Sequence, residues 1–207
     1  MKKDAVVVEN LFTLNCTHCR HLITRIQVVC DACSSPLVAI KKLNAFEIFG
    51  IKPSTTLDPK TLKRLFLDAQ KQIHPDRFIR EPKTFTFATE VTALLNKSFA
   101  VLSCPLQRSL AFIAAHNHCA DINNATLDPA ILDHLLEKRA QIDTAENTSF
   151  VQDILTEIST ELKKSLARVA SHIEHQLPKK SLEEAAFISY LLRVQKDAKK
   201  KLPRTHF

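Results

Sequence analysis

Four cysteines near the start of the chain are spaced as two pairs, Cys16-x2-Cys19 and Cys30-x2-Cys33, with ten residues between them. Zinc takes four ligands at the corners of a tetrahedron, and two such knuckles deliver them in pairs. Thiolate is a soft anionic donor that suits zinc over the hard cations. The intervening span is slightly shorter than in common zinc ribbons, yet it leaves room for two knuckles and a hairpin. The same four ligands could hold an iron–sulfur cluster. A CxxC pair also serves thiol–disulfide exchange, although two pairs outside a βαβ context count against that reading. His18 and His21 could each replace a ligand and are not expected to. A segment this short is folded by the metal it binds, so a structural zinc on Cys16, Cys19, Cys30 and Cys33 is predicted.

A second feature is the tripeptide His74-Pro75-Asp76. Proline and aspartate are turn formers, and the residue before a proline avoids the α region, so a helix should stop here. No carboxylate pair, nucleophile–base arrangement or phosphate-cradling glycine loop accompanies it, so no catalytic residues and no enzyme are expected. His172 and His175 have the i, i+3 spacing of a metal pair, but without neighbouring ligands they read as solvated helix residues. Cys104 and Cys119 fall in helical patterns and read as packing residues.

The elements that must position these residues are mostly helical. The chain has one glycine in 207 residues, against about fourteen at average usage. Sheets need glycine for tight hairpins, so an all-α fold is predicted. Within residues 1–40, the β-prone stretch Ile23–Val29 suggests a small hairpin between the two cysteine pairs. Residues 41–118 read as helix, loop, helix, loop, helix. Asn44 caps a short helix that ends at Gly50, and Asp58-Pro59 opens the next with Leu62, Leu65, Phe66, Ala69 and Ile73 on one face. Lys60, Lys63, Arg64 and Lys71 lie mostly off that face. The third helix carries Phe87, Val91, Leu94, Leu95, Phe99 and Leu102, with an extension from Pro105 to Ala115.

Residues 119–207 carry three amphipathic patterns, which suggest an antiparallel three-helix bundle. Asp128-Pro129 opens the first, Thr148 or Ser149 caps the second, and Ser181 with Glu184 forms a capping box for the third. No internal repeat is visible.

The formal net charge is +7, which suits an acidic partner surface and on its own leaves nucleic acid, anionic membrane and acidic protein open. A zinc-containing nucleic-acid binder is the alternative function; dispersed basic residues and few stacking aromatics count against it. No apolar run is long enough to span a bilayer. The run Ala5–Val8 is too short for a secretory signal, so reduced thiols and a cytoplasmic location are expected, or a mitochondrial one in a eukaryote.

Gln70-Lys71-Gln72-Ile73-His74-Pro75-Asp76-Arg77-Phe78 resembles the helix II and loop signature of J domains. Leu95–Leu102 with Pro105, Arg108 and Leu110 resembles the end of their third helix. Tetracysteine cap, J domain and helical tail together resemble the HscB co-chaperone family in its zinc-bearing form, from about Cys16 to about Val194. The resemblance implies a protein that stimulates the ATPase of a DnaK/HscA-type chaperone during iron–sulfur cluster assembly. His74, Pro75, Asp76, Lys63, Arg64 and Lys71 would dock on that chaperone. Leu65 stands where the family usually keeps a basic residue, and Ile73 replaces a common tyrosine.

In the family, the tail presents an apolar patch to an iron–sulfur scaffold protein of the IscU type. The matching positions are Leu132, Leu136, Glu137 and Val194, where Val194 replaces a usual phenylalanine. Asp133 and Ala140 stand where methionine and an acid are usual. By period alone, Leu132 and Leu136 are equally placed for bundle core. No nucleic acid and no membrane enter this reading.

Overall fold

The computed structural model describes residues 11–145 and 147–202, apart from the side chain of Asn124. The Ala5–Val8 run lies outside the described residues. The chain divides into two compact units, Met1–Gln107 and Arg108–Phe207.

The first unit begins with two short strands, β1 (Leu14–Asn15) and β2 (Leu22–Ile23), antiparallel with Leu14 opposite Ile23 and Asn15 opposite Leu22. The hairpin therefore encloses the first cysteine pair and does not lie between the two pairs as the β-prone stretch suggests. The reason is burial: Ile26, Gln27 and Val28 are buried in succession, whereas a half-exposed strand must alternate. Ile26 lines a small cavity with Phe12, Ile48 and Phe49. Leu11 donates its backbone N–H to the Gly50 carbonyl at 2.7 Å and so stitches the cap to the end of the first α-helix.

That helix is α1 (Ala45–Ile48). Asn44 caps it through a reciprocal box, its Oδ1 accepting from Phe46 and Glu47 while Glu47 accepts from the Asn44 N–H at 2.7 Å. Gly50 comes just after it with φ 61°, the left-handed position where a side chain would clash. Helix α2 (Pro59–Ile73) starts as its Asp-Pro signature requires, with Asp58 accepting from the Thr61 N–H and hydroxyl at 2.9 and 2.7 Å. Its apolar face buries Leu62, Ala69 and Ile73 against α3 (Pro82–Ser103), where Val91, Leu95 and Leu102 are buried. Phe66 stacks on Phe99 with ring centroids 4.4 Å apart. Truncating a fully buried leucine such as Leu95 to alanine would cost about 2–5 kcal/mol.

Helix α4 (Pro105–Ala115) opens as a separate helix after Cys104, because a proline at its first position has no N–H with which to continue the α3 ladder. It starts in the first unit and continues into the second. Cys119 lies exposed in the loop after α4, not in a helix.

The second unit holds α5 (Pro129–Thr144), α6 (Thr148–Glu174) and α7 (Pro178–Lys201). Their core is Leu135, Ile142, Val151, Ile154, Ile158, Leu191, Val194 and Ala198. Two caps differ from the sequence expectation. Asn147, not Thr148 or Ser149, caps α6 by accepting from the Ser149 N–H at 2.8 Å. Helix α7 begins at Pro178, so Ser181 and Glu184 are one turn inside it and form no box. Ser181 instead donates to the Val169 carbonyl at 2.9 Å, and Glu184 takes Arg168 at 2.8 Å, both tying α7 to α6. Proline at N1 outcompetes the box because its φ is already helical and its missing N–H is lost to no helical bond.

Helices α5 and α7 run parallel, each antiparallel to α6. Lys201 reaches the Asp143 carbonyl at 2.8 Å across 58 residues, and Arg139 pairs with Asp197 at 3.0 Å in the same register. Among the described residues, no single helix is long and apolar enough to cross a membrane.

Candidate functional site

Three places carry the residues singled out from the sequence. In the first, the two cysteine pairs are built by one backbone device used twice. The Cys16 N–H donates to the His21 carbonyl and the Arg20 N–H returns to the Cys16 carbonyl, both at 2.9 Å. At the second pair, the Cys30 N–H donates to the Ser35 carbonyl at 2.9 Å and the Ser34 N–H returns to Cys30 at 2.8 Å. Asn15 pairs with Leu22, and Val29 bridges Pro36 with the same spacing. Arg20 and Ser34 take φ of 62° and 56° at equivalent positions. A structural repeat is therefore present that the sequence does not display, since only the cysteines are shared between the copies.

This arrangement gathers all four Sγ atoms within 4.8 Å of one another. Cys16 lies 3.7 Å from Cys33, and Cys19 lies 3.6 Å from Cys30, so the close pairs cross between knuckles. Those separations are too long for a disulfide. A tetrahedral ion with bonds of about 2.3 Å to sulfur needs sulfurs about 3.8 Å apart. The donor set therefore fits one metal ion. An iron–sulfur cluster seats each thiolate on an iron within a wider frame, so the spacing fits a single ion better. The Ser35 hydroxyl and N–H hold the Cys33 thiol down at about 5. The His21 N–H draws the Cys19 thiol down as well, but hydrogen bonding with Cys33, burial, and the other two cysteines push it up to about 12. His18 and His21 are exposed and are not among the clustered ligands.

The second place is the turn after α2. His74 leaves the helix with ψ 130° and enters a 3-10 turn, Pro75–Phe78. His74 Nδ1 accepts from the Asp76 N–H at 3.3 Å. The side chains remain at the surface: His74 is 46% and Asp76 74% exposed. Lys63, Arg64 and Lys71 are exposed along α2, while Leu65 is half-buried and Ile73 fully buried. Arg77, which in the sequence is named only as part of the J-domain-like stretch Gln70–Phe78, folds back to donate to the Lys71 and Gln72 carbonyls at 3.0 and 3.2 Å. It satisfies the open carbonyls at the end of α2 and fixes the turn to the helix. The preference of cations for helix C-termini is the physical signal for this role.

The third place is a groove of about 290 Å³ between α5 and α7, lined by Leu132, Leu135, Leu136, Arg139, Tyr190, Arg193 and Val194. Leu136 is 62% exposed and Leu132 half-buried, so neither is sequestered as core. Leu135 and Val194 belong to the bundle core and form the floor. Glu137 is exposed beside Leu136. Tyr190 and Arg193 were not legible from the α5 pattern, because they join it only through the parallel packing of α7, whereas Arg139 lies on α5 itself. Of the other two noted histidines, His175 bonds the Ser171 carbonyl at 2.8 Å and caps its own helix.

No family model matches the chain. The co-chaperone protein HscB homolog of Vibrio atlanticus is 28% identical over 146 residues, covering 70% of this chain and 85% of that protein. The iron–sulfur cluster co-chaperone protein HscB homolog of Arabidopsis thaliana is 24% identical over 135 residues, covering 65% of this chain and 54% of that protein. Among solved structures, human co-chaperone protein HscB aligns with a TM-score of 0.74 at 19% identity, over 90% of this chain and 98% of that one. Chaperone HscB from Vibrio cholerae aligns with a TM-score of 0.66 at 19% identity, over 76% and 96%. In sequence and in fold, with a His-Pro-Asp turn after a cationic helix and a four-cysteine cap, this chain is similar to the HscB co-chaperones.

Proposed function

We propose that this protein is a J-type co-chaperone of iron–sulfur cluster assembly, which stimulates a DnaK/HscA-type ATPase and delivers to it an IscU-type scaffold. The observation that carries the reading is the exposed, clamped turn His74-Pro75-Asp76 at the end of a helix whose outer side bears Lys63, Arg64 and Lys71. Such a surface has no nucleophile–base geometry, so its effect on a partner's hydrolysis acts through contact. Pro75 sets the backbone, Asp76 presents a carboxylate, and His74 is oriented by its bond to the Asp76 N–H. The cations of α2 steer an acidic chaperone face to them, so docking weakens as salt rises.

The scaffold docks on Leu132 and Leu136 beside Glu137, over the Val194 floor. Leu136 supports this reading, since a large exposed leucine at a groove mouth gains by being covered. Cys16, Cys19, Cys30 and Cys33 hold zinc as a structural ion, which would supply the fixed centre about which the cap folds.

The test is a steady-state ATPase assay of the cognate chaperone with this protein and scaffold. His74→Gln is expected to keep its circular dichroism and melting temperature and to lose stimulation altogether. Full stimulation by that variant refutes the reading.

A further inference from the structure

The groove between α5 and α7 has a chemical character that its leucines alone do not describe. Its two charged lining residues are both arginines, one from each helix. Arg193 lies over the Tyr190 ring, 5.3 Å from its centroid. This stacking holds the guanidinium at the rim without using its hydrogen-bond donors in a salt bridge. Arg139 is set on the opposite side by Asp197 at 3.0 Å, and Asp197 also takes Lys200 at 2.8 Å. Hydrogen bonding from Lys200, then the charges of Lys200, Arg139 and Lys196, hold the Asp197 carboxyl below the usual range despite some burial. Cations thus outnumber this single acid. One turn beyond Leu136 on α5, Ala140 contributes no charge.

We propose that this groove selects a scaffold segment whose apolar side chain is flanked by carboxylates, and that Arg193, held on Tyr190, with Arg139 makes the selection. The inference rests on the assignment of the scaffold to this groove. Leu132 and Leu136 supply the apolar contact, and the arginine forks donate to a carboxylate on either side. Asp133 and Glu137 stand exposed on the same helix and do not line the groove, so the charged residues that do line it are both positive. Complementarity of this kind sets partner choice and association rate more than total affinity.

The experiment is calorimetric titration of the full chain with an IscU-type scaffold protein. Arg193→Glu is expected to weaken binding about tenfold at about 0.05 M salt and by less at about 0.5 M. Lys180→Glu makes the same change of charge about 20 Å away along α7 and is expected to stay within about twofold of the parent. Arg193→Ala, which introduces no new charge, should fall between them. Melting curves check that each variant is folded, and Arg193 is exposed enough to be replaced without loss of core. Leu136→Ser tests the groove itself. If Leu136→Ser abolishes binding while Arg193→Glu changes it less than twofold, charge selection is refuted and the groove survives. An equal loss in Lys180→Glu also refutes it, by assigning the effect to net charge. Undiminished binding by Leu136→Ser overturns the groove assignment together with this inference.

Discussion

Asp58 shows how one side chain fixes where α2 begins. It caps the first turn of α2, and the Thr61 hydroxyl, then the Thr61 N–H, hold its carboxyl below the ordinary range in spite of slight desolvation. A depressed folded-state pKa stabilises the fold above the unfolded carboxylate value, and that contribution is lost as pH falls through the folded value. Asp58→Ala should therefore lower the urea midpoint at neutral pH, and the gap to the parent should close in acid. Parallel urea titrations at several pH values measure it; a gap that is unchanged down to strongly acid pH would contradict the assignment. The four thiols illustrate the same scale differently. None is a site alone, and it is the crossing of Cys16 with Cys33 and Cys19 with Cys30 that makes them one donor set.

At the scale of the element, two devices replace glycine, which this chain hardly uses. Helix α6 ends through Gln176 at φ 57°, with Leu177 donating to the His172 carbonyl at 2.7 Å. A left-handed residue with a Cβ costs about 1–2 kcal/mol, part of which glycine would give back in unfolded-state entropy. Gln176→Gly should accordingly stabilise the protein by about 0.5–1 kcal/mol, read as a higher urea midpoint with unchanged slope. The end of α2 uses Arg77 instead. Arg77→Ala leaves His74, Pro75 and Asp76 in place but frees the turn, so chaperone stimulation should fall several-fold while hydrogen exchange rises over residues 74–78. Retained stimulation with faster exchange would show that rigidity of the turn is not required.

For the whole molecule, the decisive fact is that each compact unit has its own means of cohesion. The second unit is a bundle around Leu135, Ile142, Ile154, Ile158 and Leu191. The cap of the first has only two strands of two residues each, and a metal on its thiolates would supply what so little regular structure does not. Removing metal with a strong chelator is therefore expected to raise hydrogen exchange sharply over residues 14–37 and to leave α6 and α7 unchanged. Exchange in the cap that does not respond to the chelator would remove the structural role assigned to the ion.

The sequence by itself determined the helical class, the caps Asn44, Asp58 and Asp128, the stop at His74-Pro75 and the tetracysteine donor set. Each of these is local: a cap, a proline or a CxxC pair acts on backbone within a few residues of itself. Local signals also misled in places, for Ser181 with Glu184 looks like a cap until Pro178 is seen to start the helix, and Ile23–Val29 looks like a hairpin until Ile26, Gln27 and Val28 are seen buried in succession. Tertiary structure alone decided that Leu136 is exposed while Leu135 and Val194 are core, since Leu135 and Leu136 both fit the three-and-four apolar spacing from Leu132 and differ in what packs on them. It alone brought Arg193 and Tyr190 of α7 beside Leu132 and Leu136 of α5, because a pairing nearly sixty residues long in the chain is fixed by how two helices pack and by nothing their own neighbours encode.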